Sequence, residues 1–440
     1  MTHPAILMLK VWGTCLLLYL LLPFQMVDKA LTVQGCLVLA AYLGAFCAGA
    51  VGLFAPAKPA TEPAPARLAF SRTDRVLVSA SVIASLAYLL DLRDKNVLDL
   101  AVAYEMRSDQ AGALLEGAAS ASSMMFQIGF LTYPAAYAYA VRSIVFEKHL
   151  NAWRLAAFGF LPIVLATLAT GGRSPLLYGL VIAFLSMSVR RFHQQGIRRV
   201  NESPRAANAG RRRKLLMAAV GLAAMVYFVA VFFTRAAAMG GGEGMFRVAE
   251  QGWGVTFRGA VADVLYQALG PDWTYIVFVF SWYIVQGLPM ASHIFSAYHG
   301  PMQFGIYGID IVSALARRVD GSLVASHFDA LQQIGIYGFY PAAWGSLHVD
   351  LGYLGIAASA LWGVLAGWVY RRIRAGLDAR WLLFAPFVVM GILFSFINTP
   401  IGFANGLITH LWVVLAFAMA KRRRPASAAS PATPPFTVAS

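Results

Sequence analysis

The chain has 440 residues, 59% of them hydrophobic and only 12% charged, with a formal charge of +15. A water-soluble domain carries about twice that charged fraction, so the composition excludes an ordinary soluble protein and makes the bilayer the better solvent. Cys15, Cys36 and Cys47 lie in apolar runs with no CxxC or Cys/His spacing, which argues against a disulfide framework and a zinc site.

Taken in chain order, predominantly apolar runs suited to crossing a bilayer fall at 5–22, 31–53, 76–90, 118–140, 153–170, 175–189, 215–233, 351–370, 381–397 and 403–420. The expected fold is therefore all-α and polytopic, with about ten transmembrane helices and up to twelve. The first run has neither a basic head nor a small-residue cleavage site, so it reads as an uncleaved anchor.

Lys and Arg mark cytoplasmic loops. With the N-terminus inside, the inner segments are 1–10, 54–75, 141–154, 190–214, 371–380 and the tail from Lys421. They hold most of the 35 cations and few of the 20 acids. Shifting the frame by one span would put Arg211, Arg212, Arg213 and Lys214 outside. The expectation is a bacterial inner-membrane protein with both termini cytoplasmic and its working face periplasmic. The basic runs are topology signals that also suit anionic lipid headgroups. They lack the aromatic interleaving of a nucleic-acid surface, so no nucleic-acid partner is expected. The expected organisation is a seven-span bundle over 1–234, a large periplasmic segment over 235–350, C-terminal spans over 351–420 and a disordered tail over 421–440.

Two outer segments are long, 91–117 and 234–350, and long ordered loops are usually functional. The second contains an apolar stretch at 275–294 broken by Gly287 and Pro289, expected to be re-entrant or interfacial. The GGEG run at 241–244 reads as flexible backbone beside the membrane. No GxxxxGK[ST], HExxH or GxSxG signature occurs, so any phosphate handling falls to side chains and helix ends.

Arg173 lies in the tight turn Gly171-Gly172-Arg173-Ser174-Pro175, beside a helix N-terminus that favours an anion. Arg235, Arg247 and Arg258 stand among apolar residues, where a guanidinium fork suits a lipid diphosphate. Snorkelling or solvated charge is the alternative for each. His293, His299, His327 and His348 cluster on the outer side, and a near-neutral histidine can take a proton from a sugar hydroxyl. Asp350 is placed where a span begins, as an N-cap, as a partner for His348, or as a base. Gly352 and Gly355 are expected to allow close helix packing. Outer aromatics, Tyr266 among them, read mainly as an interfacial belt, and some have faces suited to stacking on sugar rings.

Three stretches carry a family resemblance: TGGRSPLLYGL at 170–180; YQALGPDWTYIVFVF with FGIYGIDIVSAL at 266–280 and 304–315; and GFYPAAWGSLHVDLGYLGIAASALWGVLAGWVYRRI at 338–373. With its span plan, the chain resembles the Wzy-type O-antigen and oligosaccharide repeat-unit polymerases. Asp350-Leu351-Gly352 stands where that family commonly has aspartate-aromatic-glycine. The resemblance implies a GT-C-like integral-membrane glycosyltransferase that moves a growing glycan from undecaprenyl diphosphate onto a new lipid-linked repeat unit. It implies no cofactor and no metal, with membrane lipids and a chain-length regulator as partners. His348 or Asp350 would be catalytic; Arg173, Arg235, Arg247, Arg258, Tyr266, His293 and His299 would bind substrate. An O-antigen ligase and a lipid-linked oligosaccharide flippase or transporter are the alternatives. The assigned span interiors are almost free of charge, which counts against the transporter.

Overall fold

The computed structural model describes residues 2–27, 29–52, 68–93, 123–198, 221, 225–234, 236–336, 340–376 and 378–422. Arg235, most of the 91–117 segment, the basic run beyond Arg198 and the tail from residue 423 lie outside the described residues.

The described residues are helical almost throughout, with two short two-stranded pairings among them. Among the described residues five helices are long and apolar enough to cross a membrane: Pro4–Leu21, Val33–Gly52, Ser71–Leu92, Ala152–Ala169 and Leu354–Ala375. Two bent pairs raise the number to seven if each is one span: Met225–Ala238 with Gly241–Trp253, and Ala260–Val285 with Gly287–Ala297. The expected span 175–189 lies within the 25-residue helix Ser174–Arg198, the 215–233 run is described only in part, and the remaining expected spans are shorter or interrupted. The run at 118–140 contains Met124–Thr132 and then Ala135–Phe146, separated at Pro134, where the ring removes a backbone donor. Ala379–Leu393 and Gly406–Met419 are short apolar helices. The bend before Gly287 measures 49° and falls inside the expected 275–294 element.

Packing does not follow chain order. One apolar core joins Pro4–Leu21 and Val33–Gly52 to Ala260–Val285, Gly287–Ala297 and Ala342–Leu351. The other joins Ser71–Leu92, Ala135–Phe146, Leu161–Ala169 and Ser174–Arg198 to the C-terminal helices. Val33–Gly52 lies directly on Leu354–Ala375. A Cβ on Gly363 would strike the carbonyl of Phe46, and one on Gly49 the carbonyl of Ala360. Small residues let the two backbones touch, which is how helices associate where water supplies no drive.

The described parts of the six segments expected inside gather at one end of the molecule. Strand Leu68–Ala69 pairs with Lys421–Arg422. Arg142 binds Asp74 at 2.5 Å and also Glu147. The buried Arg190 donates to the carbonyls of Ile144 at 2.7 Å and Lys148 at 3.1 Å. Arg380 pairs with Asp378 and donates to the carbonyl of Ala420. The His3 ring meets Tyr370 at 5.0 Å. The segments expected outside meet at the opposite end. Strand Phe24–Met26 pairs with Val255–Phe257, the Thr32 amide donates to Ser292, and Ser123 donates to Asp91.

Candidate functional site

The two cores meet along a seam that runs through the end opposite the basic segments. Arg173 starts the Ser174–Arg198 helix of one core, and its guanidinium lies 4.3 Å from the ring centre of Phe232 in the other. Phe232 packs on Phe280 and Tyr283, and Tyr283 on Tyr340. A half-buried arginine on an aromatic face keeps its charge and its fork while shedding only weakly held water.

A second crossing lies at the turn 303–309. Asp350 sits in the last turn of Ala342–Leu351, not at the N-terminus of a span. The expected N-cap is therefore a correction: Gly352, at φ 55°, reverses the chain before Leu354–Ala375 starts. One carboxylate oxygen of Asp350 accepts the Tyr307 amide at 3.1 Å and the other accepts the Gly308 amide at 2.9 Å. Burial pushes this carboxyl up to about 6, against the pull of the Tyr307, Gly308 and Gly305 amides. From the far side, Gly402 abuts the Gly308 carbonyl so closely that any Cβ there would collide with it. The turn is thus wedged between Asp350 and the 398–405 segment.

Asp310 follows this turn and opens the Asp310–Val319 helix. Its side chain keeps exposed surface, with Tyr133, Arg317 and Asn405 close around it. Its carboxylate accepts the Asn405 amide, and Arg317 lies on its own helix. Burial, the larger effect, pushes the carboxyl up to about 6, while Arg317 and the Asn405 amide pull it down. Tyr133 faces it from the helix pair opposite. Tyr133 donates to the Ala404 carbonyl at 3.3 Å, and Asn405 donates to the Phe130 carbonyl at 2.6 Å. Behind Tyr133 the rings of Tyr137 and Tyr178 continue inward, and Tyr137 donates to the Pro175 carbonyl at 2.9 Å. This tyrosine row ties the Asp310 wall to the helix start beside Arg173.

The other expected site residues are dispersed. His348 is buried among Tyr42, Phe295 and Tyr353, 3.4 Å from the Tyr42 hydroxyl, and burial lowers its affinity for a proton. It makes no hydrogen bond or ion pair with Asp350. Arg258 is exposed and pairs with Glu250 at 2.6 Å. Arg247 is exposed on Gly241–Trp253, and the Tyr266 ring lies 5.3 Å from Phe246 on the same hairpin. His293 meets the Ile334 carbonyl at 3.0 Å, and His299 is exposed. The GGEG run is not loose backbone but opens the Gly241–Trp253 helix. Gly242 approaches the Pro271 carbonyl too closely for a side chain, and its amide donates to Asp272 at 2.6 Å. Among the described residues no group of three His, Cys, Asp or Glu gathers as a metal site would.

Asp310 and Asn405 escaped sequence reasoning. Asp310 sits in FGIYGIDIVSAL among apolar residues, a placement that could have flagged it, whereas Asn405 reaches it from 95 positions away in the chain. Comparison of the chain with family models, curated proteins and solved structures yields no match.

Proposed function

We propose that the protein is a polysaccharide polymerase that extends a lipid-diphosphate-linked glycan at the periplasmic end of the bundle. One observation carries the reading: an exposed carboxylate, Asp310, and a helix-end arginine, Arg173, both lie where elements of the two cores meet. They lie at the end opposite the basic one, which the excess of Lys and Arg assigns to the cytoplasm. Glycosyl transfer from a lipid diphosphate needs these two kinds of group. A cation steadies the charge that develops on the departing diphosphate, and a carboxylate can serve the acceptor hydroxyl. The resemblance of the 170–180, 304–315 and 338–373 stretches to repeat-unit polymerases supports the same assignment.

The test is a surface-glycan ladder in a chromosomal deletion strain complemented with wild type or Arg173→Ala, with membrane levels checked. A polymerase collapses the ladder to core plus one repeat on deletion, and well-expressed Arg173→Ala fails to restore it. Loss of every repeat assigns the protein to ligation or translocation instead. An unchanged ladder removes this glycan as its product.

A further inference from the structure

Two carboxylates stand at the 303–309 turn, Asp350 bonded to its amides and Asp310 directly following it in the chain, and their surroundings differ. Asp350 is 6% exposed and has both oxygens occupied by amides of the turn. Asp310 keeps exposed surface and accepts one backbone amide, from Asn405. A carboxylate has about four acceptor positions; Asp350 accepts from the Tyr307, Gly308 and Gly305 amides and Asp310 from one, so Asp310 retains the larger capacity for a further donor. Of the other described acids in the 235–350 segment, Glu250 pairs with Arg258, Asp272 accepts the Gly242 amide and Asp320 accepts from Ser322, while Glu243, Asp263 and Asp329 are exposed and have no place at this turn.

We propose that Asp310 takes the proton from the acceptor sugar hydroxyl, and that Asp350 acts only as a positioning residue, by holding the turn that presents Asp310. The inference rests on the polymerase reading and refines it. In the step, the acceptor oxygen forms a bond to the anomeric carbon of the donor glycan. The bond from that carbon to the diphosphate oxygen breaks, and its electron pair leaves with the lipid diphosphate. The acceptor's proton passes to the Asp310 carboxylate and from there to water. No oxidant, reductant or further reactant is needed. Arg317 on the same helix, Tyr133 from the helix opposite and the Asn405 amide from the 398–405 segment are the groups that face this carboxylate. A carboxyl titrating near 6 is ionised at neutral pH and more basic than an exposed one, as a general base requires. Below that pH the proton blocks acceptance, so the rate should climb as pH rises through about 6 and level above it.

The experiment uses full-length protein in lipid nanodiscs and undecaprenyl-diphosphate-linked repeat units extracted from the deletion strain, with glycan length read on gels between pH 5 and 8. Wild-type protein that makes no ladder overturns the polymerase reading, and the inference falls with it. Given a wild-type ladder, Asp310→Asn should lower the rate by roughly 100-fold or more, keep the wild-type melting temperature and abolish the limb near pH 6. Asp310→Glu should recover part of the rate. Asp350→Asn should lower the rate and the melting temperature while keeping the limb. The inference is overturned if Asp310→Asn works within about threefold of wild type, if the limb follows Asp350 instead, or if a glycan is trapped covalently on Asp310.

Discussion

The carboxylate of Asp350 accepts the amide of Gly308 at 2.9 Å across 42 residues of chain. A Cβ on Gly308 would run into that carboxylate, and a Cβ on Gly402 would run into the Gly308 carbonyl. One glycine is thus held from both sides, which fixes where the helix carrying Asp310 begins. Asp350→Ala should leave two buried amides without acceptors, at ~1–3 kcal/mol each. The expected result is a loss of roughly 2–4 kcal/mol by that principle, read as a clear fall in the melting temperature of the detergent-purified protein.

Gly402→Ala should be damaging for a steric reason. The added methyl meets backbone, which cannot rotate away as a side chain does, and overpacking of this kind costs roughly 1–3 kcal/mol. Gly13 is the control: a Cβ there meets nothing within 4 Å, so Gly13→Ala should be neutral or stabilising by up to ~1 kcal/mol through helix propensity. Thermal unfolding of the two variants side by side checks the contrast.

Charge segregation predicts accessibility. In a background with Cys15, Cys36 and Cys47 replaced by Ser, Phe304→Cys stands on the exposed outer turn and Arg72→Cys at the basic end. A membrane-impermeant maleimide applied to spheroplasts should label the first and spare the second until the membrane is opened. The reverse pattern would invert the orientation assigned by the basic loops.

The arginines should separate by environment. Arg173 stacks on Phe232, so Arg173→Lys should rescue the ladder poorly even though it keeps the charge, because the planar fork and the stacking are lost. Arg258 and Glu250 form an exposed pair, with side chains 65% and 45% accessible. Their coupling in a double-mutant cycle of thermal unfolding should lie between about 0 and 1 kcal/mol.

Sequence reasoning was strongest where one physical rule acts along the chain. Apolar runs must cross lipid as helices because the bilayer offers backbone groups no water. Lys and Arg resist transfer outward, so the six basic segments could be grouped before any contact was known, and the Arg142, Arg190 and Arg380 contacts gather them at one end. Reasoning was weakest where a residue's role depends on what approaches from elsewhere. Asp350 looks like an N-cap by its place before LGYLG, yet Gly352 turns the chain and Asp350 becomes a clamp on residues 307 and 308.

By itself, then, the sequence specified a helical chain with segments long and apolar enough to cross a membrane, and the grouping of its basic segments apart from its long aromatic, arginine-bearing one. Hydropathy and charge are local properties that a single chain carries in plain order. The tertiary structure alone decided that Val33–Gly52 packs on Leu354–Ala375, and that Asp310, Asn405 and Tyr133 share one wall. It also decided that Asp350 is spent on two amides while Asp310 stays open. Each of these depends on backbones and side chains distant in sequence coming within a few ångströms, and no local pattern of residues records that.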